Sequence, residues 1–253
     1  MNTNGIAAIY KFEMARWGRT LWQSLITPVI TTALYFVVFG SALGSRMTEM
    51  EGVSFGSFIV PGLTLLSVFM QSIFNASFGI YFPKFTGTIY ELLSAPISSF
   101  EAVLAYVGAA VTKSVILALV TLATAILFVE VRLDHPIAMI LFLVAISTGF
   151  CLFGFAIGIW SQNFEQLQII PMMVITPLTF LGGAFYSVNA LGEPWRTITL
   201  FNPIVYVISG FRWSFYSVSD VPVWSSVLVT VAIVAICMGV IAWMFRTGYR
   251  LKQ

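Results

Sequence analysis

Charge is scarce in this sequence. Twelve Lys and Arg and ten Asp and Glu among 253 residues make only 9 % charged, where a soluble domain carries about 25 %. With 59 % hydrophobic residues and a mean hydropathy of +0.95, the chain cannot cover itself with polar side chains, so lipid must cover it. A net charge of +2 is too small to recruit nucleic acid. Metal ligands are equally thin. The sole histidine, His135, opens an apolar run beside Asp134, with no cysteine near it, and reads as the residue that starts a helix. The two cysteines, Cys151 and Cys237, sit inside apolar runs as small buried hydrophobes, with no disulfide framework and no C-x-x-C pair.

What is abundant is length without charge. A spanning helix needs about 20 apolar residues, and six runs qualify, near residues 21–43, 58–80, 102–129, 136–160, 167–187 and 223–245. In lipid every backbone polar group must be satisfied within its own segment, so all six are expected to be helices. Prolines 28, 61, 171 and 177 fall within them and are expected to kink them. The fold class is therefore an all-α polytopic membrane protein with six transmembrane helices, and no internal repeat or appended soluble domain is visible.

Basic residues set the orientation. Lys11, Arg16 and Arg19 near the N-terminus, Lys84 in the second connection, and Arg246, Arg250 and Lys252 at the C-terminus share one side if the spans are even in number. The other side holds Arg46, Arg132, Arg196 and Arg212, balanced in part by Glu49, Glu51, Glu130, Asp134, Glu193 and Asp220. Both termini are thus expected in the cytoplasm. A seventh run, residues 204–218, is short for a span and carries Arg212 near its middle; it is expected to be re-entrant or interfacial on the outer side, with Asn202-Pro203 starting its helix. An isolated buried charge is costly, so Arg212 is expected to be paired or solvated, and Glu193 and Asp220 are the nearest acids in sequence on that side.

The first 20 residues are not expected to be a cleavable signal, because the apolar run that follows exceeds a signal core of about 7–15 residues. On a helical wheel Ile6, Ile9, Tyr10, Met14 and Trp17 share a face, as in an interfacial amphipathic helix. Glu13 lies inside that face, so it should meet protein rather than lipid. Lys113, in the third run, either snorkels to the cytoplasmic interface or faces a cavity as a cation for an anionic substrate. "GAAVTKS" (108–114) lacks the glycine before the lysine that a phosphate-binding loop requires. Gln71, Asn75, Thr112 and Thr176 can bond between helices. Gly182-Gly183 permits close backbone approach.

One stretch fits neither water nor lipid. "IYELLSAPISSFEAVLAY" (89–106) holds Glu91, Glu101 and a Ser-Ala-Pro break, yet also Leu92, Ile97 and Phe100. A solvated loop would not need the apolar residues, and a span would not hold two acids and a proline.

Three segments resemble one family. "YELLSAPISSFEAVLAYVGAAV" (90–111) is similar to the cytoplasmic loop and third-span start of bacterial ABC-2-type transporter permeases, "FIVPGLTLLSVFMQSIFNAS" (58–77) to their second span, and "TPLTFLGGAFYSVNALGEPWRTITLFNPIVYVISGFRWSFYSVSDVPV" (176–223) to the end of their fifth span and the external segment. The resemblance implies a single transmembrane domain over 1–253, with a cytoplasmic interface helix (1–20), a coupling region (81–101) and an external re-entrant segment (188–221). It implies a half-transporter in the bacterial inner membrane. A second copy would pair through the first and fifth spans, and a separate ABC ATP-binding subunit, in two copies, would bind ATP and Mg. The chain itself would bind no cofactor and catalyse no reaction. Tyr90, Glu91, Leu92 and Pro96, with Glu13, would lie where the ATPase docks; Asn202, Pro203 and Arg212 would belong to the outer segment; Lys113, Gln71 and Asn75 would be candidates for the pathway. Family members export polysaccharides, lipids, drugs and other amphiphiles. The residues alone leave other polytopic classes open. An intramembrane enzyme would cluster a nucleophile, acid pair or metal set at one face, and a secondary transporter would carry coupling-ion residues in its spans; neither pattern is visible.

Overall fold

The computed structural model describes residues 2–42 and 49–250; Arg46 and Lys252 lie outside the described residues. Six described helices are long and apolar enough to cross a membrane, so the chain is an all-α polytopic membrane protein. Helix α1 (Thr3–Arg19) precedes the first span, α2 (Leu21–Ala42). A two-stranded ladder, β1 (Glu49–Met50) and β2 (Val53–Ser54), antiparallel with Glu49 opposite Ser54, leads into the second span, α3 (Phe55–Thr86). The short α4 (Ile89–Ser94) connects to α5 (Ser99–Ile126), then come α6 (Pro136–Trp160) and a fifth span built from α7 (Phe164–Ile170), a π turn (Pro171–Ile175) and α8 (Thr176–Leu181). Helices α9 (Trp195–Leu200) and α10 (Pro203–Tyr216) precede the last span, α11 (Val223–Thr247).

Both ends of the described chain, Asn2 and Arg250, lie at one end of the bundle. Asn2 bonds Glu101 at the start of α5, and Arg250 donates to the Trp160 carbonyl at the end of α6 (2.8 Å). This is the terminal end; the loops around residues 49–54, 127–135 and 182–222 form the opposite end.

The second span is longer than its apolar run, extending to Thr86. Lys84 is not in the connection, where its charge had been expected. It is buried in the last turn of α3, and its ammonium donates to the carbonyls of Ile159 and Ser161, both at 2.8 Å. Two carbonyls left open at the end of α6 thus satisfy a cation that the sequence reading places in a solvated connection. Gly87, at φ +78°, closes α3 with a left-handed cap.

The fifth span breaks its regular α-helical bonding at a π turn for a bonding reason. Pro177 has no N–H to give the regular ladder, and the Thr176 N–H reaches back five residues to the Pro171 carbonyl, which widens the turn. The span ends at Leu181, short of the expected residue 187, before Gly182 and the left-handed Gly183.

Helix α3 is the centre of the bundle: 72 % of its apolar window is buried by other helices, against 17 % for α2 and 22 % for the fifth span. With no hydrophobic drive between helices in lipid, close packing must hold them. The α3–α6 contact does this with Gly154 and Gly158, one turn apart. A Cβ at either would stand 2.4 Å from a backbone oxygen of α3, that of Ile73 or Ser77.

Candidate functional site

Helix α1 starts with a cap: the Asn2 side chain accepts from the Gly5 N–H (3.0 Å), and its Nδ2 donates to the Pro96 carbonyl (3.3 Å). From there α1 runs beside the first half of α5, Asn2 meeting Glu101, Tyr10 Oη meeting Thr112 Oγ1 at 2.9 Å, and Glu13 meeting Lys113. The helix turns Trp17 and Glu13 inward.

Glu13 is 2 % exposed, and its partner lies within the chain. Its Oε2 accepts from Lys113 Nζ at 3.0 Å and from Arg16 Nη2 at 2.7 Å. Glu13 is thus paired within the chain, with α5 beyond the 81–101 region, and Lys113, 2 % exposed, takes the second of its two expected placements, at a cleft rather than snorkelling to an interface. A carboxylate this deep is tolerable because two cations answer it, and the group of three carries a net positive charge.

Beside the group lies a cleft of about 570 Å³ between α1, α2, α3, α5 and the fifth span. Arg16, Trp17, Lys113, Gln71, Asn75 and Gln168 give it a polar wall, and Phe74 and Phe78 an aromatic one. The pathway residues expected from the sequence, Lys113, Gln71 and Asn75, thus come together. Glu13, buried behind its cations, does not line the cleft. The Arg16 guanidinium lies 5.3 Å from the Phe78 ring centroid, and Phe74, Phe78 and Phe82 stack at successive turns of α3.

The 81–101 region is built at the terminal end. The carbonyl of Glu91 in α4 accepts from the Ala95 N–H and the Ser94 hydroxyl. Tyr90, Glu91 and Pro96 are exposed, while Leu92 is half-buried against the chain's own core. Glu101 is a capping residue: it accepts from the Ser98 N–H at 2.8 Å while Ser98 Oγ accepts from the Glu101 N–H. The S-x-x-E signature at 98–101 announces this box in the sequence.

At the opposite end, Asn202 caps α10, accepting from the Ile204 N–H (3.0 Å) and donating to the Leu178 carbonyl (2.6 Å), with Pro203 at the first helical position. Arg212, fully buried, chooses Asp220 over Glu193: Nη1 to Oδ2 is 2.8 Å. Its Nη2 donates to the Gly183 carbonyl, and its guanidinium lies 3.9 Å from the Phe58 centroid. His135 opens α6 as expected and stacks on Trp213 at 4.3 Å.

A model of the ABC-2 type transporter family matches residues 4–216. The chain is 36 % identical to the inner membrane transport permease YadH of Escherichia coli K12 over 240 residues, 93 % of this chain and 94 % of the relative. It is 22 % identical to nodulation protein J of Rhizobium leguminosarum bv. viciae over 210 residues, 81 % of this chain and 80 % of that protein. Six apolar helices go with that match, and the chain belongs to the ABC-2 type transporter family as a permease subunit.

Proposed function

We propose that this permease is one half of the membrane part of an ATP-driven exporter in the bacterial inner membrane. Two copies pair to enclose a pathway for a lipid-like, glycan or other amphiphilic substrate. Two separate ATP-binding subunits hold ATP and Mg and perform hydrolysis. Both termini are cytoplasmic, α1 is the interface helix, 81–101 the coupling region, and 188–221 a re-entrant element facing out, with α9 and α10 as its two arms.

One observation carries this reading. Helix α4 sits at the end where both termini emerge, tied to α1 through Asn2 and Pro96, with the side chains of Tyr90 and Glu91 turned out. A docking helix needs such groups for affinity and orientation. The first, fifth and last spans are all poorly buried and leave faces free for a second copy, of which the first and fifth are the pair proposed. Purification of the chain with its ATP-binding subunit tests the assembly. Tyr90→Ala should weaken recruitment at a cost of about 1–2 kcal/mol, and Glu91→Ala should leave recruitment intact but lower substrate-stimulated hydrolysis. Full recruitment and normal hydrolysis in both variants would remove α4 from the coupling role.

A further inference from the structure

The cleft beside Glu13 carries more polar donors than the fold uses. Arg16 Nη1, Trp17 Nε1 and Asn75 Nδ2 are buried with no hydrogen-bond partner, and all three residues line the cleft. A buried donor left unpaired is costly, and these three belong to residues of one cavity wall, with the unpaired acceptor Glu13 Oε1 behind it rather than in the lining. The charge there has one sign. Lys113 and Arg16 border the cleft, and Glu13, the carboxylate they share, is excluded from it. Donors, cations and no acid in the lining are what an oxyanion requires.

The rest of the cleft is apolar and aromatic. Phe74 and Phe78 line it, Phe82 continues their stack along α3, and Phe164 of the fifth span packs against Phe78. Phe74, Phe82 and Phe164 are each about 40 % exposed, so the strip is open along its length. The volume of about 570 Å³ falls within the range of about 300–1,000 Å³ usual for small-ligand sites. Basic pockets between transmembrane helices hold lipid headgroups elsewhere by the same electrostatics.

We propose that this cleft is a recognition site for the anionic headgroup, phosphate or carboxylate, of an amphiphile. Arg16, Asn75 and the Trp17 indole bond the oxyanion, Lys113 supplies charge from behind, and the aromatic strip of α3 takes the apolar tail. The Glu13–Lys113 pair holds α1 against α5 and so sets Arg16 at the cleft wall. This narrows the substrate class of the export reading and rests on it for the meaning of the site, though not for its existence.

The test uses the purified full-length chain in neutral detergent, titrated with dioctanoyl phosphatidate, dioctanoyl glycerol and inorganic phosphate, with binding read by thermal shift. Phosphatidate should bind saturably, the uncharged diacylglycerol should not, and phosphate should bind more weakly than phosphatidate. Arg16→Gln should weaken phosphatidate binding by about tenfold or more. Asn75→Leu, which keeps the side-chain volume, should weaken it in the same direction, and Arg246→Gln, on a different groove, should leave it unchanged. Equal binding of diacylglycerol and phosphatidate overturns the proposal, as does wild-type affinity in the two cleft variants. Phosphate binding as tight as phosphatidate overturns the headgroup assignment in favour of a free anion. Recruitment of the ATP-binding subunit is measured apart from all of these, so a failed headgroup site and a failed exporter assembly give different results.

Discussion

Arg212 and Asp220, eight residues apart, bury opposite charges against each other at 2.8 Å, with side chains 1 % and 3 % exposed. Helix α10 ends between them at Ser217, whose φ of +57° turns the chain back so that the loop can bring Asp220 under the arginine. The carboxylate has further partners. It accepts from the Val188 N–H at 2.9 Å, and the Ser187 hydroxyl, with one proton to give, lies between it (2.6 Å) and the Glu51 carboxylate. One ion pair thereby ties the end of the fifth span, the ladder before α3 and the α10 loop.

Removing one side of that pair leaves a charge stranded in protein. Arg212→Ala should cost about 3–5 kcal/mol, seen as a large drop in the thermal midpoint of the purified chain. Arg196 is exposed and its side chain bonds Asn189 (3.2 Å), so Arg196→Ala should change stability by no more than about 0.5 kcal/mol. Comparable melting of the two variants would mean that the Arg212 charge is solvated.

The Glu13–Lys113 pair predicts a rescue. Lys113→Met should destabilise by about 3–5 kcal/mol because Glu13 is left with Arg16 alone. Adding Glu13→Gln removes the stranded charge and should recover a large part of the loss. A double variant no more stable than Lys113→Met, measured by thermal unfolding, would show that the two side chains act independently.

Packing of α3 on α6 predicts a contrast between glycines. Gly154→Ala places a methyl 2.4 Å from the Ile73 carbonyl oxygen. Backbone cannot yield as a side chain would, so the cost should reach or exceed about 1–3 kcal/mol. Gly239→Ala, with nothing within 4 Å, should be neutral or slightly stabilising through helix propensity. Yield of folded protein after extraction and the thermal midpoint both report the difference.

The proposed orientation predicts a labelling pattern. In a background lacking Cys151 and Cys237, Thr3→Cys should resist an impermeant thiol reagent in intact cells and react in inverted vesicles. Arg196→Cys should show the reverse. Both positions are exposed, so a failure to label reports sidedness rather than burial. Labelling of residue 3 in intact cells would invert the topology.

Two signals of packing were present in the sequence without standing out. Gly154-Phe155-Ala156-Ile157-Gly158 is a G-x-x-x-G pattern in an apolar run, the form that lets transmembrane helices approach closely. It is easily lost in a chain with 19 glycines. Arg16 counted toward topology as one of several N-terminal cations, because its facing toward Phe78 and Glu13 depends on how α1 lies on α5.

The number and order of the spans followed from the sequence alone, since lipid demands about 20 apolar residues and internal bonding of every backbone group. So did the capped start of α10, whose Asn-Pro signal is local. Partners of the buried charges were decided only by the tertiary structure. Lys84 lies in the same helix as the second span yet bonds carbonyls 75 and 77 residues away, and Glu13 finds Lys113 across 100 residues. A charge is assigned to water in a linear reading because burial is expensive. Whether it is repaid depends on which carbonyls and carboxylates the packed helices bring within 3 Å, and that distance exists only once α1, α3, α5 and α6 are assembled.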